Sequence, residues 1–241
     1  MIRPRTGMVL AAGRGERLRP ITDTVPKPLV RIAGRALLDH AIDRLEAAGV
    51  ERVVVNTHYL GELIATHLQA RPSPEIMLSA EATPLETGGG VKHALPLLGS
   101  GPFFVVNGDS LWLDGPVAAL SRLAAAWDPD RFDSVLLLQP TVSAIGYDSG
   151  AGDYTLDPQG RAHRRRPGDI APYLFAGVQL LSPGLFAEAP EGRFSLNWIF
   201  DQAESRGRLG AIVHDGGWFH VGTPEALILV EHRVRRILRE R

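Results

Sequence analysis

Cysteine is absent from the 241 residues of this chain. That excludes disulfide cross-links, thiolate nucleophiles and cysteine-based zinc sites, so any chemistry rests on other side chains. Long apolar runs are missing as well. No stretch of about eighteen consecutive apolar residues, the length of a membrane span, occurs anywhere. An excess of one charge is lacking too: 26 Lys and Arg stand against 27 Asp and Glu, a formal net charge of −1. No whole-chain field therefore draws the protein to nucleic acid or to an anionic lipid surface, and neither is expected as a partner. The opening residues 1–6 carry no apolar core of a secretory signal, so a cytoplasmic location is the expectation. Two local basic runs, 164–166 and 233–241, read as solvated surface, the second at the negative end of a helix dipole.

What is present is an ordinary globular balance, 44% hydrophobic and 22% charged, with enough length for one large α/β domain or two small ones. Short β-type runs alternate with helical patterns. Strands are expected at 8–12, 52–56, 76–78, 102–107 and 134–139, and helices over 36–48, 61–69, 89–98 and 116–127. Such alternation predicts a doubly wound, mostly parallel sheet with helices on both faces. Its ligands belong outside the carboxyl ends of the strands, here after Ala12, Asn56 and Val106. From 141 onwards glycines divide the chain into shorter pieces. A hairpin is expected at 153–164, strands at 173–181, 209–213 and 218–221, a helix over 195–205 capped by Ser195, and a last helix over 225–239 begun by Thr223 and Pro224. One domain results, with a nucleotide-binding core over 1–140, a small β subdomain and further strand segment over 141–222, and a terminal helix over 223–241.

The first thirty residues are the most informative. The apolar strand Met8-Val9-Leu10-Ala11-Ala12 runs straight into Gly13-Arg14-Gly15-Glu16-Arg17-Leu18, and Pro26-Lys27-Pro28 follows. A buried strand ending in a small-residue turn offers backbone N–H groups to a phosphate chain. Arg17 and Lys27 bring two cations to the same place. A dinucleotide fingerprint fails because its third glycine position is Leu18, and Gly88-Gly89-Gly90-Val91-Lys92 does not match a P-loop.

The remaining pattern, Leu10 to Pro20 followed by Pro26-Lys27-Pro28-Leu29, resembles the sugar-phosphate nucleotidylyltransferases. Four more segments follow in that family's order. Leu85 to Gly90 is similar to its base-recognition loop, Val106-Asn107-Gly108-Asp109 to its metal-binding strand end, Phe175-Ala176-Gly177-Val178 to its sugar-side strand, and Trp218 to Pro224 to its second metal segment. The resemblance implies a Rossmann-like fold and in-line displacement at an α-phosphorus: a sugar 1-phosphate attacks a nucleoside triphosphate and pyrophosphate leaves. Such chemistry asks the protein for positioning and charge neutralisation, not for a covalent nucleophile.

The resemblance also implies roles residue by residue. Lys27, held between two prolines, would clamp the α-phosphate, and Arg17 the β- and γ-phosphates, its planar fork suiting phosphate oxygens. Arg14 receives no role. Asp109 would hold Mg²⁺, an ion that keeps several waters and prefers oxygen ligands; read without the family, Asp109 would cap a helix starting at Leu111. The second metal position, normally aspartate, is His220 here, which points to Mn²⁺ or another softer ion, to a held metal-bound water, or to a weakened site. Asp215 is a distant second choice. The base would lie on Leu10, Ala11, Ala12, Gly13 and Gly15 with Glu86, Thr87 and Gly88, unless the glycines merely open a helix. Asn107, Asp153, Gly177 and Asn197 would face the sugar. The tryptophans read as packing, and His58 has no task.

Within the family, Pro84 to Gly90, Gly152-Asp153-Tyr154 and the short tail point to UTP and N-acetylmuramate 1-phosphate as substrates, with GTP and mannose 1-phosphate as the alternative pair. A glycosyltransferase would use a D-x-D motif, and Asp128-Pro129-Asp130 fits that string at the wrong place, after a helix. A nucleotide-sugar sensor with a degraded metal site is the non-enzyme reading. A monomer or small homo-oligomer is expected.

Overall fold

A computed structural model describes residues 3–147 and 150–240; Arg241, at the end of the basic run, and Met1 and Ile2 lie outside the described residues. The nucleus is four parallel strands: β1 (Thr6–Leu10), β2 (Arg52–Thr57), β3 (Glu75–Ala80) and, on the other side of β1, β4 (Phe103–Asn107). Met8, Val9, Val53, Val54, Val55, Val105 and Val106 are all fully buried. Both faces are therefore covered, which is why these strands read as unbroken apolar runs and not as alternation.

Helices α1 (Leu37–Ala47) and α2 (Gly61–Gln69) cover one face, and α3 (Glu86–Leu98) the other. Strand β4 is followed by the short β5 (Ser110–Leu113), so no helix stands where Asp109 might have capped one. Helix α4 (Ala119–Ala126) starts later than its apolar pattern suggested, because Asp114 Oδ1 accepts from Ala119 N at 2.9 Å and fixes the start there.

Apart from three two-residue strands (Arg31–Ile32, Arg35–Ala36 and Ala144–Ile145), the remaining strands are β6 (Ser134–Pro140), the hairpin pair β7 (Tyr154–Leu156) and β8 (Ala162–Arg164), the long β9 (Tyr173–Leu181), β10 (Leu209–Val213) and β11 (Gly217–His220). The hairpin does not stand apart as its glycine-rich surroundings suggested. It continues the main sheet, whose order is β8-β7-β9-β4-β1-β2-β3, with β6 branching from β9 and β10 pairing with β6. β9 runs antiparallel to β4 and to β6 and carries a bulge between Phe175 and Gln179. Helix α5 (Leu196–Ser205) begins at Ser195, whose side chain accepts from Asn197 N. Helix α6 (Pro224–Arg239) begins at Thr223, whose side chain accepts from Ala226 N.

Two apolar clusters fill the two faces of the sheet. A third lies beneath the opening loop, joining Leu18, Val30, Ile32 and Leu37 to Leu111 and Leu113 of β5, Phe219 of β11, and Val230 and Val234 of α6. Glu231 of α6 accepts from Ala33 N at 2.6 Å across the same contact. The last helix is thus bolted to the loop that the sequence marks for phosphate.

Candidate active site

Strand register builds the floor. Leu10, the last residue of β1, is level with Asn56 on β2 and with Asn107 on β4. β1 and β4 therefore end in one row, with β2 running one residue past it to Thr57, at the carboxyl edge where open α/β sheets place ligands. Above them is a cleft of about 770 Å³ lined by Leu10 to Arg17, Lys27, Pro28, Asn56, Glu81, Pro84, Glu86, Thr87, Asn107 to Asp109, Arg193 and Gly222.

Residues 11–15 leave β1 without regular structure before a short 3-10 turn, Glu16–Leu18, anchored by buried Leu18. Thr22 Oγ1 donates to Gly15 O at 2.9 Å, and Gly108 N to Leu10 O at 2.9 Å. Ala11 N donates to Asn56 Oδ1 at 2.7 Å, Asn56 Nδ2 donates to Glu81 Oε1 at 2.6 Å, and Leu85 N donates to Glu81 Oε2 at 3.0 Å. A buried relay, Ala11–Asn56–Glu81–Leu85, therefore fastens the phosphate-side loop to the loop before α3. Sequence reasoning missed Glu81. Its one signal was position: it is the first residue past β3, at the same sheet edge as the other turns.

Beside Gly15 of the opening loop, Lys27 Nζ lies 2.8 Å from Asp109 Oδ2, with side chains only 11% and 28% exposed. Burial opposes ionisation of Asp109, yet the Lys27 ammonium and the neighbouring His220 hold its carboxyl below the usual carboxylate range. His220 is in register with Ser110, the residue after Asp109, and its ring stacks on Trp218 with centroids 6.0 Å apart. A Cβ on Gly222 would lie 2.6 Å from His220 Nε2 and 3.7 Å from Arg17 Nη1, so those two side chains converge on Gly222 at the cleft wall. Among the described residues no three His, Asp or Glu side chains gather as an all-protein metal cage. One carboxylate lining the cleft still fits an ion that keeps waters and takes its other oxygens from a bound phosphate.

The sugar-side residues divide. Asn107 lines the cleft, and its Oδ1 is buried with no hydrogen-bond partner among the described residues. Gly177 is in the β9 bulge with φ 76°, and a Cβ there would meet Ser110 Oγ at 2.2 Å. Only glycine lets β9 close on Asn107 and Ser110 in this way. Asp153 does not line the cleft; its Oδ2 accepts from Phe175 N at 2.9 Å and braces the bulge. Asn197 is exposed in the first turn of α5, also outside the lining residues.

The base-loop glycines have a packing explanation. They fall inside the first turns of α3, which starts at Glu86 and not at Gly89. Gly88 N and Gly89 N donate to Phe194 O, and a Cβ on Gly88 would meet the Phe194 ring at 2.4 Å. Thr87 Oγ1 accepts from Leu196 N at 2.9 Å. Gly88 therefore holds the 192–196 segment and does not line the cleft. Glu86 does line it, but its carboxylate pairs with Arg193 and not with an inward donor. Trp218 is buried, with Nε1 donating to Ala176 O at 2.9 Å, and Asp128 to Asp130 form a surface turn far from the lining residues.

Residues 6–143 match the Nucleotidyl transferase family. Over 236 residues the chain is 45% identical to the N-acetylmuramate alpha-1-phosphate uridylyltransferase of Caulobacter vibrioides, covering 96% of this chain and 97% of that one. It is 35% identical to the enzyme of that name from Neisseria meningitidis serogroup B, over 90% of this chain and 92% of the relative. A solved UDP-glucose pyrophosphorylase complexed with UDP-glucose shares the fold with a TM-score of 0.78, at 17% identity, over 98% of this chain and 99% of that one.

Proposed function

The chain belongs to the nucleotidyl transferase family, and on that premise we propose that it transfers the uridylyl group of UTP to N-acetylmuramate 1-phosphate, giving UDP-N-acetylmuramate and pyrophosphate. What supports this substrate pair is the 45% identity to a uridylyltransferase of that specificity over nearly the whole of both chains. A phosphate oxygen of the sugar 1-phosphate forms the new bond to the α-phosphorus as the bond to the β-phosphate bridge oxygen breaks. Backbone N–H groups of 12–15 hold the triphosphate, Arg17 neutralises its departing end, and Lys27 moves from Asp109 to the α-phosphate, where charge builds in the transition state. Asn107 offers its buried Oδ1 to a sugar hydroxyl. A divalent ion held by Asp109 and phosphate oxygens would add charge neutralisation at the same phosphates.

The test is a panel of four nucleoside triphosphates against N-acetylmuramate, N-acetylglucosamine and mannose 1-phosphates, scored by pyrophosphate release. UTP with N-acetylmuramate 1-phosphate is expected to give the highest kcat/KM. A best rate with GTP and mannose 1-phosphate overturns the substrate pair, and nucleotide binding without pyrophosphate release under any metal overturns catalysis in favour of sensing.

His220 sets the metal preference in this reading. Imidazole is a poorer neighbour for Mg²⁺ than for Mn²⁺, so His220→Asp is expected to raise the ratio of Mg²⁺-supported to Mn²⁺-supported rate severalfold. Titration of both ions checks it, and an unchanged ratio with an unchanged rate removes His220 from the metal site.

A further inference from the structure

N-acetylmuramate is N-acetylglucosamine with a lactyl ether on its 3-oxygen, and that ether ends in a carboxylate. A cleft that selects it must meet a negative charge away from the phosphates. Among the described residues four cationic side chains line the cleft: Arg14, Arg17, Lys27 and Arg193. Arg14 and Arg17 follow β1 in the opening loop and Lys27 is held by Asp109 beside it, so these three stand on the opening-loop wall of the cleft. Arg193 comes from another wall, the turn that leads into α5.

That turn is firmly held. Phe194 O accepts from Gly88 N and Gly89 N at 2.9 and 3.0 Å, and Phe194 N donates to Leu85 O at 3.1 Å. The guanidinium is aimed by one carboxylate: Glu86 Oε1 accepts from Arg193 Nε at 2.8 Å and lies 2.6 Å from Nη2. Glu86 itself has φ 60°, a left-handed conformation that side-chain-bearing residues rarely adopt and that tends to mark working sites. Nε and Nη2 form one edge of the guanidinium fork. The other edge, with Nη1, suits a second carboxylate, which a planar five-donor group takes in bidentate fashion.

We infer that Arg193, aimed by Glu86, is the specificity residue that receives the lactyl carboxylate of the sugar phosphate. The inference rests on the substrate pair proposed above and deepens it. It also gives Glu86 a task at the sugar and not at the base.

The experiment compares wild type with Arg193→Gln and Arg193→Lys on N-acetylmuramate and N-acetylglucosamine 1-phosphates, with UTP varied separately. Where turnover of the second sugar is slow, its inhibition constant supplies the same comparison. Arg193→Gln is expected to raise KM for N-acetylmuramate 1-phosphate by about tenfold or more, the loss of a charge-assisted pair. The KM for UTP and the constants for N-acetylglucosamine 1-phosphate stay near wild type, and Arg193→Lys falls between. Should Arg193→Gln fail to fold, Arg193→Lys carries the same comparison. Equal losses on both sugars, or no loss on either, overturn the assignment. The substrate reading fails separately, on wild type alone, if N-acetylmuramate 1-phosphate is not the preferred sugar.

Discussion

Lys27→Ala is expected to lower kcat/KM by about 10²- to 10³-fold, the usual cost of deleting one donor aimed at transition-state charge. The reasoning starts from place. Lys27 is mostly buried between two prolines and reaches across to Asp109, so its ammonium is already desolvated and held at the phosphate end of the cleft. A cation in that setting acts more strongly than one in water when charge develops within its reach. Removing it also leaves Asp109 without its main counter-charge, so nucleotide affinity drops along with turnover. Lys27→Arg restores charge but not shape, and recovers only part of the rate. Adding Arg17→Ala to Lys27→Ala abolishes measurable nucleotide binding by titration calorimetry. A double variant that binds and turns over UTP like wild type would remove the phosphate grip from the reading altogether.

Asn56→Ala is expected to destabilise the protein by about 3 kcal/mol and to weaken nucleotide binding at the same time. Asn56 is 2% exposed and serves two partners: its oxygen takes the Ala11 N–H and its amide feeds the Glu81 carboxylate. Deleting it orphans both groups inside the sheet edge, and an unsatisfied buried polar group costs roughly 1–3 kcal/mol, more when charged. For a chain of this size each kcal/mol moves the thermal midpoint by about 2–4 °C, so a fall of about 6–12 °C is expected by calorimetry. UTP recovers less of that midpoint in the variant than in wild type, because the Ala11 loop is no longer pinned. A loss of stability with full recovery by UTP would make the relay purely structural.

Much of the fold is legible in the sequence. The opening strand and its glycine turn, the capping roles of Ser195 and Thr223, and the full extent of β9 follow from local residue chemistry that tertiary packing did not override. Lys27 and Asp109 fall together because each sits just beyond an apolar strand or between prolines, features that sequence displays openly. Glu81 was illegible for the opposite reason: an acid after a strand looks like surface, and only the partner set of Asn56 and Leu85 N makes it interior. Glu86 looked inward by its place in the loop, but a left-handed backbone turns it to Arg193. The glycines at 88–90 left two readings open, a base site and a helix opening; they lie in the first turns of α3 and admit Phe194, Gly192 and Glu81. Asp153 lay near the right strand but is consumed by the Phe175 amide, a demand created by a bulge that no local pattern announces.

The common row formed by Leu10, Asn56 and Asn107 carries a lesson about how such an enzyme can change. Because β1 and β4 end at that row and β2 only one residue past it, lengthening any one of them would push a step into the platform that floors the cleft. New sugars are therefore most easily accommodated by redrawing the rim, where the 190–196 turn and the β9 bulge hang beyond the ladder, while the platform stays untouched. In the proposed function, Asn107 is where the platform itself meets the sugar, and the rest of the choice falls to the rim.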